Sequence, residues 1–333
     1  MKTAILAIIL FCIMIFPHEL GHFIAAKRVG VKVNEFAFGM GPALWKKQGK
    51  ETLYSIRLLP IGGYCAMEGE DESSESPRAF GNKKPWQKLL VLAAGSFMNV
   101  LSAIIIMIIV VGAMGFTTTV IDQVEAGSPA SVAQIMEGDV VTRIDDTEIE
   151  NWNDVAVAIN AAGGETSTFV VERDGNMETL EITPELTEDG RYMVGITCKV
   201  SHNPIKAIVE GTKATWNMTK NMIMTFVQLF TGNVGVDELS GPVGMVQMVD
   251  QTSSYGYWYY GLLLSIICMN LAIVNMLPLP ALDGGRIIFV LIAMVTGKEV
   301  SSRVEGAIHF VGIMLLLALM VYVSVNDVTR IFG

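Results

Sequence analysis

Charge is scarce in this chain. Of its 333 residues only 17% are Asp, Glu, Lys or Arg, 51% are hydrophobic, and the mean hydropathy is +0.47. Soluble domains carry about 25% charge, so that class is disfavoured. Cysteine is scarce too. None of the four is in CxxC spacing, and two of them, Cys12 and Cys268, sit in apolar runs, which excludes a disulfide framework. Basic residues do not dominate anywhere outside one segment, and the net charge of −10 argues against a nucleic-acid partner.

The missing charge is missing in blocks. Residues 3–26 hold one charged residue, Glu19, while 89–116, 251–282 and 306–325 hold none. Each block reaches the roughly 20 residues a helix needs to cross a bilayer. The composition therefore implies a polytopic α-helical membrane protein with about four transmembrane helices. A signal peptide is the alternative for the first block, but its apolar run is long and lacks a small-residue cleavage site. Eleven Lys and Arg residues fall between the first two spans, from Lys27 to Lys88. Residues 117–200 instead carry four basic residues against seventeen acidic ones. Basic loops stay inside. Residues 27–88 are thus expected in the cytoplasm, with the acidic segment and both termini outside it.

The expected organisation is a first transmembrane helix at 1–26 and a cytoplasmic loop at 27–88 containing a membrane-associated β region. A second span follows at 89–116, then a small β-rich α+β domain at 117–200. An amphipathic, interfacial segment occupies 201–250, a third span 251–296 and a fourth 306–325. Within the inserted domain, strand-like runs lie at 118–121, 140–144, 168–171 and 180–182, and a helix should follow Asn151. The Ser-rich acidic tract around 68–76 reads as a mobile loop with no assignable role.

Against that apolar background, "FPHELGHFI" at 16–24 is conspicuous. On a helix His18 and His22 share one face, one turn apart, as two imidazoles on one zinc ion require. Glu19 stands beside them, placed to take a proton from an attacking water as in His-Glu-x-x-His zinc hydrolases. A carboxylate at membrane depth costs several kcal/mol, and a metal site offsets that cost. Catalytic zinc usually has three protein ligands. His202 and His309 are weak candidates for the third. Asp283 in "NMLPLPALDGGRIIF" is a better one, because Pro278 and Pro280 break the helix there and Gly284-Gly285 frees the backbone. A helix cap is the alternative role for Asp283.

"HELGH" on a first span, "NMLPLPALDGG" on a later one and an external domain between them resemble the site-2 protease family of intramembrane zinc metalloproteases. The likeness is to the bacterial branch with an inserted PDZ domain, the regulator-of-sigma-E-protease type. It implies Zn2+ held by His18, His22 and Asp283, Glu19 as general base, and Asn275 with the Pro278 and Pro280 segment in substrate binding. It further implies that "FAFGMGPALW" and "RLLPIGGYCAM" clamp substrate as an added strand, and that residues 117–200 are an extracytoplasmic PDZ-like domain. The partners implied are transmembrane protein substrates and the lipid bilayer of a bacterial cytoplasmic membrane. Substrates such as anti-sigma factors or remnant signal peptides would be cut in regulated intramembrane proteolysis. The competing reading is a membrane-anchored PDZ binding protein with a vestigial metal site. Transport ranks below both, because no second half repeats the motif.

Overall fold

The computed structural model describes residues 2–70, 74–233, 235, 241–298 and 300–332. The chain divides into two compact units, one of Met1–Val110 with Gly211–Gly333 and one of Val111–Glu210.

The larger unit begins with α1 (Lys2–Arg28), which runs unbroken through Pro17. The sequence motif at His18 therefore sits on regular helix. Lys27 and Arg28 occupy its last turn, where cations suit the carbonyl end of the helix dipole. β1 (Val33–Gln48) and β2 (Leu53–Met67) follow. The expected β region is these two long strands, which fold back on each other. Residues 35–38 pair with both 63–66 and 53–56, and 53–56 also pairs with 45–48. Positive φ at Gly39, Gly41 and Gly62 allows the reversals. The acidic tract is tied down at its described ends: Glu68 accepts from Asn34 Nδ2 at 2.9 Å and from Ser74 Oγ at 3.0 Å. Residues 71–73 of that tract lie outside the described residues. α2 (Pro85–Met114) then starts with proline, whose missing N–H costs nothing in a first turn.

The smaller unit is a β-rich α+β module. Its elements are β3 (Phe116–Val124), α3 (Pro129–Val132), β4 (Val140–Ile144), β5 (Thr147–Glu148) and α4 (Trp152–Ala161), then β6 (Ser167–Arg173), β7 (Asn176–Ile182), β8 (Glu185–Leu186), β9 (Tyr192–Met193) and β10 (Ile196–Ser201). The main sheet has the order β10-β3-β4-β6-β7, with β5 beside β4. Alternation places Phe169, Val171, Val141, Ile144 and Ile121 inside, where α4 adds Val155 and Ile159. Burying one such side chain stabilises by about 1.5–3 kcal/mol. Asn151 and Asp154 form a capping box at the start of α4. Asp139 is 1% exposed and takes two hydrogen bonds from Arg173, at 2.7 and 2.6 Å.

The chain returns to the larger unit through α5 (Pro204–Phe230), followed by α6 (Pro242–Tyr255) and α7 (Tyr257–Met276). The sequence reading places 251–255 in the third span. These residues instead finish α6, and Gly256 at φ +122 separates them from α7. α7 ends at Met276, and the expected break before Asp283 separates it from α8 (Asp283–Thr296). α9 (Ser302–Phe332) extends past both ends of the expected 306–325. Among the described residues four helices are long and apolar enough to span a membrane: Thr3–Arg28, Pro85–Met114, Tyr257–Met276 and Arg303–Arg330. Leu10 and Met14 of α1, Ala103 of α2 and Leu263, Leu264 and Cys268 of α7 form a core shared by the first three of these helices.

Candidate metal centre

α1 contributes His18 and His22, both buried, and the N-terminus of α8 brings Asp283 to them. His22 Nε2 lies 3.2 Å from His18 Nε2. Asp283 Oδ2 lies 3.3 Å from His18 Nε2 and 3.4 Å from His22 Nε2. The three atoms form a nearly equilateral triangle. A tetrahedral ion with bonds of about 2.0–2.1 Å separates its ligand atoms by about 3.3–3.4 Å. The side chains present therefore fit zinc with no rearrangement. His202 and His309 do not join the cluster.

The donor set is also oriented for a cation. His22 Nδ1 is 2.8 Å from the carbonyl of Val91. A carbonyl only accepts, so Nδ1 carries the proton and Nε2 presents its lone pair to the triangle. Asp283 Oδ2 and His18 Nδ1 are buried and have no hydrogen-bond partner. An unpaired buried carboxylate oxygen is costly, and a positive ion at the triangle would remove that cost.

Four backbone features hold Asp283 in place. Leu277 leaves α7 in extended conformation at φ −63, ψ 144, and Ala281 takes φ +74. Pro278 and Pro280 lie between them, where neither can continue α7. A Cβ on Gly284 would lie 2.2 Å from the Leu277 carbonyl oxygen, so only glycine admits this fold-back. Helix α9 supports the turn from outside: His309 Nδ1 accepts from Ala281 N–H at 2.9 Å, and Gly312 packs on Pro280. His309 is thus a hydrogen-bonded residue that braces the turn. Arg286, one turn into α8, pairs with Glu70. The acidic tract, which the sequence leaves without a role, supplies this anchor.

Around the triangle lie the other residues singled out from sequence. Asn275 Nδ2 stands 3.3 Å from His18 Nε2. Gly63 of β2 packs on the Glu19 side chain, since a Cβ there would lie 3.4 Å from Glu19 Cγ. Residues 63–66 pair on one side with 35–38, and no other strand pairs with them among the described residues. An open strand edge therefore passes beside Glu19. Pro278 is exposed, and Pro280 is half-buried against α9.

One residue escapes the sequence reading. A Cβ on Gly95 of α2 would lie 2.3 Å from His22 Nε2 and 2.7 Å from His18 Cε1. Glycine there lets the α2 backbone close one wall of the triangle. The only sequence signal is a glycine inside a membrane span, which commonly marks close packing.

Known proteins resemble the chain along nearly its whole length. Residues 6–319 match the description of peptidase family M50. A protein named as a zinc metalloprotease in Clostridium acetobutylicum is 35% identical over 327 residues, covering 97% of this chain and 96% of the relative. Zinc metalloprotease RasP of Geobacillus kaustophilus is 30% identical, covering 100% of this chain and 99% of the relative. The regulator of sigma-W protease RasP of Bacillus subtilis is 28% identical, covering 99% of each. Among solved structures, the PDZ domain of an SdrC-like protein from Listeria monocytogenes is 21% identical, covering 25% of this chain and 86% of that one at a TM-score of 0.22. The match to one family runs through both the helix bearing His18 and the turn bearing Asp283, so the chain belongs to peptidase family M50 and is a membrane metalloprotease.

Proposed function

We propose that this zinc metalloprotease hydrolyses peptide bonds of single-span membrane proteins, such as anti-sigma factors or remnant signal peptides, at a site formed by His18, His22, Asp283 and Glu19. The observation that carries this is the donor triangle of 3.2, 3.3 and 3.4 Å with an open strand edge beside Glu19. His18, His22 and Asp283 would hold the zinc ion. Bound there, zinc supplies Lewis-acid polarisation of a carbonyl and makes a water acidic near neutral pH.

The chain's own residues do the rest. A helical substrate hides its carbonyls, so its scissile segment must be extended, and residues 63–66 offer main-chain hydrogen bonds to hold it so. Asn275 can donate to a substrate carbonyl with Nδ2 and accept from an amide with Oδ1. Glu19 takes one proton from water as the water oxygen bonds to the carbonyl carbon. It then delivers that proton to the amide nitrogen as the C–N bond breaks. Val91 keeps His22 in the tautomer this arrangement needs.

The charge asymmetry supports placing residues 27–88 in the cytoplasm, with the inserted PDZ-like unit and both termini outside the cytoplasmic membrane. The decisive experiment compares wild type with Glu19→Gln in lipid nanodiscs against a panel of single-span substrates. Wild type should cleave, while the variant should keep its zinc and lose cleavage. Equal cleavage by both would refute Glu19 as the base. Substrate capture without cleavage by wild type would favour the binding-module reading.

A further inference from the structure

Three helices of the larger unit leave a groove between them. α2 lines it with Ser96, Phe97 and Val100, α5 with Thr219 and Ile223, and α7 with Ala272, within a cavity of about 620 Å³. On each helix the lining positions recur three and four residues apart, so one face of each helix turns to the same space. The groove is almost wholly apolar. Thr215 and Thr219 line it, yet their hydroxyls donate to Gly211 O and Thr215 O of their own helix, at 2.8 and 2.7 Å.

Ser96 departs from that pattern. It is 3% exposed, lines the groove, and its Oγ has no hydrogen-bond partner. A buried hydroxyl left unpaired is unfavourable, so an occupant with a polar group at this depth is favoured over one without. Position sharpens this. Ser96 directly follows Gly95, which packs on His18 and His22. On α7 the lining ends at Met276, next to Asn275 and its contact with His18. The groove therefore runs beside residues that touch the metal centre, its lining residues Ser96 and Met276 being the chain neighbours of Gly95 and Asn275.

We propose that this groove receives the apolar membrane segment of the substrate, with Ser96 Oγ donating to a main-chain carbonyl next to the scissile bond. This deepens the protease reading above and rests on it. A lipid acyl chain would fit the apolar walls but offers Ser96 no acceptor. An unwinding peptide does offer one, because the residues about to be cut have already left their helical hydrogen bonds. Thr219 and Ile223 make α5 the wall that faces the bound segment.

The test uses the full-length, zinc-loaded protein in nanodiscs with a single-span substrate. In the Glu19→Gln background, a photo-crosslinking residue is placed at Ile223 in the groove or at Leu315, exposed on α9 outside it. Substrate should be captured at 223 and not at 315. In the active protein, Thr219→Trp should abolish cleavage while zinc content and thermal unfolding stay as in wild type. Ser96→Ala should raise KM about fivefold with kcat unchanged, the worth of one neutral hydrogen bond. Equal capture at both positions, capture of lipid alone, or wild-type cleavage by Thr219→Trp overturns the groove. If wild type cleaves but 223 captures nothing, the groove fails and the protease reading stands. If 223 captures substrate that wild type never cleaves, the protease reading fails and the groove is supported.

Discussion

Replacing Gly95 with alanine is the sharpest test of how the site is packed. The added Cβ would lie 2.3 Å from His22 Nε2, 2.7 Å from His18 Cε1 and 2.8 Å from His18 Nδ1. Ordinary contact begins at 3.4 Å, so the imidazoles or the α2 backbone must move by about 1 Å. Neither can move freely. His22 is tied to Val91, itself on α2, and both histidines are buried. Ligand distances tolerate only about 0.2 Å before coordination suffers. Displaced groups around a metal site typically cost about 10–100-fold in affinity, and a direct clash with a ligand atom belongs at the upper end. The assay is zinc content after dialysis against a graded chelator, together with cleavage of a single-span substrate. The variant should lose zinc at chelator concentrations that leave wild type loaded, and cleavage should fall in parallel. A Gly95→Ala protein with wild-type zinc affinity and activity would refute both the proposed ligand set and the role of α2 as its wall.

Other perturbations should rank below that one. Glu70→Gln weakens the pair with Arg286 that anchors α8; a partly exposed ion pair is worth about 1 kcal/mol or less, so zinc affinity should drop at most about fivefold, measured by the same chelator competition. Asp327 of α9 is 4% exposed and accepts from Gly241 and Gly244 N–H at 3.0 and 2.8 Å, capping α6 from another helix. Asp327→Ala should cost about 1–2 kcal/mol and raise hydrogen exchange at the start of α6; unchanged protection there would count against it. In the inserted unit, burial alone would raise the Asp139 carboxyl, but hydrogen bonds from Arg173 and the Met136 amide outweigh it and hold the pKa low. A depressed folded-state pKa stabilises at neutral pH, and that stabilisation is lost as pH falls from the ordinary Asp value through the lower one. Asp139→Asn should therefore destabilise this unit at neutral pH by about 3 kcal/mol and flatten its acid dependence, read by exchange protection of β4 and β6.

The likeness to one family came from two short motifs, and each is local. His18 and His22 share a face because a helix repeats every 3.6 residues, and α1 keeps that repeat through Pro17. The prolines and glycines around Asp283 announce a break in the span because their backbone limits are intrinsic to those residues. The strand runs of the inserted unit and the cap at Asn151 were legible for the same reason. Length was harder to read. The third span reads as starting at 251 because apolar composition says nothing about Gly256, where α6 ends and α7 begins.

What lay beyond the sequence was every relation between distant residues. Composition and periodicity establish the four apolar helices, the paired histidines with their glutamate, and an acid on a broken helix. They do not establish that Asp283 Oδ2 comes within 3.4 Å of both imidazoles, that Gly95 walls them, or that His309 and Glu70 brace the turn. Those are outcomes of packing, where a missing Cβ or a buried pair selects one arrangement among many that the same local patterns allow. The helices could be read from the chain because their hydrogen bonds are local, whereas the metal triangle joins residues 18, 22 and 283 and only the tertiary fold brings them together.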